Sequence, residues 1–158
     1  MQGKSIDEIN IGDFETFEKT ISETDVYLYA GITGDFNPAH LNDQAAQKTI
    51  FKGRIAHGLL TAGLISAVLG TILPGPGTIY LEQSLSFKKP VYFGDTITAK
   101  VTIIEKLVDK NIIICETVCL NDRNQLVVTG IAKVMPPIKA EGKAWLIIIY
   151  PRMRSQKF

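Results

Sequence analysis

Asp35 and His40 are the first residues in this chain whose types and spacing could do chemistry. Asn37-Pro38 stands between them and marks a turn. Such a turn can fold a carboxylate and an imidazole toward one point in a loop between helices. There they could hold a water, one group taking a proton and the other giving one. The same spacing also serves an Asp that caps a turn beside a His that only packs, and the spacing does not choose between them. Gly58 is the next candidate, at the expected start of a helix just after His57. The first amides of a helix lack partners within it and sit at the positive end of its dipole. A glycine there lets a ligand come close to the backbone, so a carbonyl oxygen that gains charge during reaction could be held by that amide. Close packing alone would also explain the glycine. His57 is either a second catalytic histidine or a support for the helix start through a hydrogen bond. Ser66 lies eight residues beyond Gly58, about 12 Å further along the helix axis. It either touches the Asp35–His40 pair from below or bonds back to its own helix carbonyl.

These residues need elements to position them. Ser22 with Asp25 three residues later fits a helix N-cap pattern. Val26, Tyr29, Ala30 and Thr33 then share a face, and Gly34 suits the helix end. A strand-like stretch, Phe14 to Ile21, precedes this helix, and a short second helix is expected from Asn42 through Ala46. His57 to Leu73 reads as the main helix. Its apolar residues go nearly all round, which predicts burial on most sides. Pro74-Gly75-Pro76-Gly77 ends it, and the period then changes to two, with strands expected around 79–87, 97–103, 112–120 and 126–134. The linkers Phe93-Gly94-Asp95, Asp109-Lys110-Asn111 and Asn121 to Asn124 carry turn residues, so consecutive strands are expected to be antiparallel neighbours. An α+β fold follows: one antiparallel β-sheet wrapped around a long central apolar helix, the hot-dog architecture.

Composition bounds the rest. At 158 residues, 46% hydrophobic and 21% charged, the chain suits one domain that needs no disulfide. Cys115 and Cys119 fall on one face of a strand about 13 Å apart, too far to bridge. Two histidines and no paired-cysteine motif argue against structural zinc. A net charge of +1 provides no global field toward nucleic acid or membrane, so an anionic ligand must be met by local groups. The sequence has no glycine-rich phosphate loop, nucleophile elbow or basic stripe with interleaved aromatics. The polar N-terminus is unlike a signal peptide, no apolar run is long enough to span a bilayer, and a cytoplasmic location is expected. The domain is expected over 1–138. Residues 139–158 form an extension of unknown role, whose apolar run Ala144 to Tyr150 is either an added edge strand or tail, or an oligomer contact.

Gly34-Asp35-Phe36-Asn37-Pro38-Ala39-His40 resembles the signature of the (R)-specific enoyl-CoA hydratases, the MaoC-like branch of hot-dog proteins. Gly53-Arg54-Ile55-Ala56-His57-Gly58-Leu59-Leu60, then 74–80, 84–91 and Gly94-Asp95, continue the resemblance in order, up to about Val134. The resemblance implies fatty-acid chemistry: syn addition of water to a trans-2-enoyl-CoA, giving an (R)-3-hydroxyacyl-CoA. It implies that Asp35 and His40 share the proton transfers, with Asp35 favoured as base. The Gly58 amide would bind the thioester oxygen, and Ser66 would support the pair. Leu69 would line the acyl pocket, since the helix covers it. No metal or redox cofactor is implied, because the thioester itself acidifies C2. The expected partners are the acyl-CoA substrate and a second copy in a homodimer or higher oligomer. A non-catalytic acyl-CoA-binding or scaffold subunit, or a 3-hydroxyacyl-thioester dehydratase acting on acyl carrier protein, stays compatible with the same residues.

Overall fold

Ser22 begins the first helix as the sequence predicts. Its side chain accepts a hydrogen bond from the Asp25 amide, and the Asp25 carboxylate takes the Ser22 amide in return. The computed structural model describes residues 2–139. In chain order the elements are β1 (Phe14–Thr20), α1 (Glu23–Thr33), α2 (Pro38–Leu41), α3 (Asp43–Gln47), α4 (Gly58–Thr71), β2 (Ile79–Phe87), β3 (Thr96–Leu107), β4 (Ile112–Asn121) and β5 (Leu126–Met135). Gly34 closes α1 at φ 77, a left-handed conformation that an L side chain resists. All five strands join one antiparallel sheet in the order β1-β3-β4-β5-β2. α4 lies against it, and this is the expected α+β hot-dog arrangement.

Period-two burial is clean on the central strands. Ile97, Ala99, Val101 and Ile103 of β3 and Ile113, Cys115, Thr117 and Cys119 of β4 face the core. Both cysteines are free, on one face as expected, and burial pushes each thiol up to about 12. From α4 the core takes Leu64, Ile65, Val68 and Leu69, each contributing about 1.5–3 kcal/mol of burial.

Two expectations are corrected. First, α4 is not buried on most sides. Its sheet-facing side is buried, but Leu59 (58% exposed), Gly63, Ser66 and Gly70 lie on an open stripe. One five-stranded sheet has one concave face, and it covers one side of a helix. Second, β2 and β3 are not neighbours. β2 pairs with β5 at one edge, while β3 pairs with β1 near the other. The connection 88–95 crosses between them instead of making a hairpin. Pro90 has no amide to give a ladder, and the crossing is tied to the loop before α4: Ala56 N donates to Val91 O (2.8 Å), and Ile55 bridges Tyr92. That tie sets one wall of the site.

No helix among the described residues is long and apolar enough to cross a membrane. The expected extension over 139–158, with its apolar run Ala144 to Tyr150, lies outside the described residues except for Lys139.

Candidate active site

Asp35 leaves α1 at its glycine-closed end. Its Oδ1 accepts from the Asn37 amide (3.2 Å), a tight Asx turn. Asn37 in turn caps α2 by accepting from Ala39 N, with Pro38 in the first helical position. His40 therefore stands on this short helix and not in a loop, a change from expectation that stiffens it. Residue 55 clamps α2 at two points: Ile55 N donates to Ala39 O (3.2 Å), and His40 Nδ1 lies 2.8 Å from Ile55 O. A carbonyl oxygen only accepts, so His40 carries its proton on Nδ1, and Nε2 keeps a free lone pair.

His57 is almost fully buried and is the N-cap residue of α4, but its side chain does not cap the helix. Nε2 instead donates to Asp35 O at 2.9 Å, while the Asp35 carboxylate at 3.9 Å is beyond hydrogen-bond range. The helix start is supported by His57's own carbonyl, which accepts from Leu60 and Thr61. The His57 ring packs between its neighbours, 3.8 Å from the His40 ring and 4.9 Å from that of Tyr29, centre to centre. His57 thus holds the Asp35 backbone from below. Arg54 adds a clamp from outside, binding Glu23 (2.6 Å) and Tyr27 (2.8 Å) on α1. Hydrogen bonds from Tyr27 and then Arg54 hold the Glu23 carboxyl below its ordinary range.

Asp35, His40 and His57 bring one polar atom each to within 4.8 Å of the others. A water between Asp35 and His40 would reach both at about 2.8 Å with room to spare. Both groups accept, so they would take both hydrogens of that water and leave its lone pairs pointing outward. The same three groups lie close together, but His57 Nε2, the nitrogen 3.9 Å from the Asp35 carboxylate, gives its proton to Asp35 O and has no lone pair to offer a cation.

This cluster opens into a cavity of about 480 Å³. Gly58 and Thr61 of α4 line it, as do Phe87 and the crossing residues Lys88, Lys89 and Val91. Gly58 is the first residue of α4, and its amide has no acceptor among the described residues. Packing also requires the glycine: a Cβ there would lie 2.7 Å from the Phe87 ring. Lys88 and Lys89 are exposed at the rim, and neither forms an ion pair among the described residues.

Of the expected site residues, Asp35, His40, His57 and Gly58 converge here, but Ser66 and Leu69 do not. Eight residues turn a helix through about 800°, so Ser66 leaves α4 about 80° round from Gly58, on the open stripe. Leu69 is 1% exposed and belongs to the core beneath. Thr61 was missed. It is 1% exposed, lines the cavity, and its hydroxyl has no partner. The available signal was its place three residues after Gly58, which puts it on the adjoining face.

The family profile described as "MaoC like domain" matches residues 12–124. A curated (R)-specific enoyl-CoA hydratase of Rhodospirillum rubrum is 51% identical over 133 residues, covering 84% of this chain and 92% of that protein. A 3-hydroxybutyryl-CoA dehydratase of Methylorubrum extorquens is 44% identical, covering 86% of each. Among solved structures, an unliganded R-hydratase of Pseudomonas aeruginosa superposes with a TM-score of 0.82 at 43% identity, over 86% of this chain and 87% of that one.

Proposed function

The chain belongs to the MaoC-like domain family, and from that premise we propose that it is a hydro-lyase adding water reversibly to trans-2-enoyl-CoA to give (R)-3-hydroxyacyl-CoA. The observation that carries this reading is the meeting of Asp35, an Nδ1-protonated His40 and the free Gly58 amide on one cavity. Asp35 and His40 hold the water by its two hydrogens and aim its oxygen at C3. Asp35 takes one proton as the C3–O bond forms. The C2–C3 π electrons move toward the thioester, and the Gly58 N–H stabilises the enolate oxygen. Asp35 then gives that proton to C2 on the face the water attacked, while His40 Nε2 holds the hydrogen that stays on the new hydroxyl, so addition is syn. The thioester acidifies C2, and the reaction needs no metal or redox cofactor. The names of the relatives support both directions of the equilibrium: a hydratase in one and a dehydratase in the other. Mixing the protein with crotonyl-CoA and longer enoyl-CoAs, following loss of enoyl absorbance and resolving product stereochemistry, tests this reading. No hydration at any chain length, or an (S) product, sinks it.

Lys88 and Lys89 at the rim support coenzyme A as the carrier, since its phosphates need local cations on a chain of net charge +1. Neutralising both (Lys88→Gln with Lys89→Gln) raises KM for crotonyl-CoA by about 5- to 10-fold at low salt and leaves kcat in place. With the N-acetylcysteamine thioester, which has no phosphate, KM stays unchanged. Equal shifts for both substrates remove the phosphate reading.

The open stripe of α4 supports assembly as a homodimer. Leu59 is an exposed apolar side chain, and Gly63, Ser66 and Gly70 let a second backbone come close. Sedimentation velocity should show the dimer mass at micromolar concentration; a monomer throughout that range contradicts it.

A further inference from the structure

We propose that the Thr61 hydroxyl is a second hydrogen-bond donor to the substrate's thioester oxygen, beside the Gly58 amide; this rests on the hydratase reading above.

Thr61 Oγ1 is one of two buried polar side-chain atoms without a partner among the described residues, the other being His57 Nδ1. Buried hydroxyls are nearly always satisfied, and a helical threonine has a ready solution in the carbonyl four residues back. Thr33 uses it, bonding Tyr29 O at 2.8 Å, and so does Thr71, bonding Ala67 O at 2.6 Å. Thr61 does not, although His57 O stands in the equivalent place. Thr61 thus stands in a cavity wall with this hydroxyl buried and unpaired.

Helix geometry directs it further. Side chains lean toward the helix N-terminus, so Thr61 leans toward the turn that begins at Gly58. The two residues are neighbours on the helix surface at a spacing of three. A hydroxyl donates along a rotatable bond, so it can follow the oxygen as the thioester gains enolate character. Phe87 lies against Gly58 and shares the cavity wall, which keeps this end of the site apolar and strengthens each donor.

Thr61→Val keeps the shape and removes the donor. We expect kcat/KM with crotonyl-CoA to fall by about 10²-fold, mainly in kcat. Thr61→Ser restores the rate to within about threefold. Tm of the valine variant should stay equal or rise, because an unpaired buried hydroxyl has been removed. A hydroxyl that only supported the helix or His57 would give the opposite pattern, with lower Tm and little change in rate. Binding provides a readout free of turnover. Saturated butyryl-CoA carries the carbonyl oxygen, and its S-butyl thioether lacks it. Calorimetry should show Thr61→Val weakening the thioester but not the thioether. Equal weakening of both, or a valine variant within threefold of wild type in rate, overturns the assignment. Wild type that binds these ligands but does not hydrate crotonyl-CoA overturns the hydratase reading instead, and leaves the thioester-to-thioether comparison to decide on Thr61.

Discussion

Asp35→Asn removes nearly all hydration of crotonyl-CoA, lowering kcat by about 10³- to 10⁴-fold while the protein folds normally. General acid–base catalysis contributes up to about 10⁴-fold, and this change deletes the proposed base without deleting the shape. The asparagine oxygen still accepts from the Asn37 amide, so the Asx turn survives. The His57 bond also survives, because it goes to the Asp35 backbone carbonyl and not to the carboxylate. Asn cannot take a proton from water, and its NH2 group turns one acceptor position into a donor. The bound water then no longer presents both hydrogens to acceptors. His40→Gln should be nearly as severe. It removes the Nε2 lone pair that the Ile55 bond sets up, and it breaks ring packing on His57. Two residues acting on one water, as proposed, make the double variant little slower than the worse single one. Stopped-assay rates with Tm measured alongside decide this. An Asp35→Asn protein that keeps more than a tenth of the wild-type rate would remove Asp35 from the chemistry.

Gly58→Ala is the second large effect. An added Cβ would sit 2.7, 2.9 and 3.2 Å from three carbons of the Phe87 ring, the first two closer than real contacts come. Either the ring or the start of α4 must move. A displacement of about 1 Å in a positioning group can lower a rate by about 10²-fold, and the Gly58 amide is the group displaced. The expected result is a fall in kcat/KM of about 10²-fold, with about 1–3 kcal/mol lost from overpacking. Phe87→Leu in the same chain relieves the crowding. If the alanine acts by moving the amide, this second change recovers much of the rate as well as the stability. Recovery of stability alone would mean that the glycine serves packing and the amide serves nothing. A Gly58→Ala protein with wild-type kcat/KM would dispose of the oxyanion role directly.

Both effects depend on residues that were legible before any coordinates. Asp35, His40 and Gly58 stand beside turn and helix-start signals that act over two to four residues: the Ser22–Asp25 box, the Gly34 closure, and Asn37-Pro38, read as a turn and found to cap a short helix. Local hydrogen bonds of this kind depend on side-chain chemistry at short spacing, so residue identity is enough to read them. The period-two strands were legible for the same reason, since alternation follows from the pleat. Strand order was not. A turn signal at Phe93-Gly94-Asp95 looks the same whether the chain returns in a hairpin or crosses the sheet. Here the bonds from 55 and 56 to 91 and 92, far apart in sequence, decided for the crossing.

The chemistry of the Asp35–His40 pair divides in the same way. The sequence by itself determined that a carboxylate, an imidazole and a glycine-led helix would be available, because those are matters of residue type and local spacing. Only the tertiary structure decided how they are held. The His40 proton is placed by a carbonyl 15 residues away, and Asp35 is held by a histidine 22 residues away. Neither partner is a feature of local pattern, since any residue supplies a carbonyl. The rotation of α4 about its axis was equally hidden. An all-round apolar helix has no preferred side until a one-sided sheet covers it, and that choice put Thr61 in the cavity, Leu69 in the core and Ser66 on the open face.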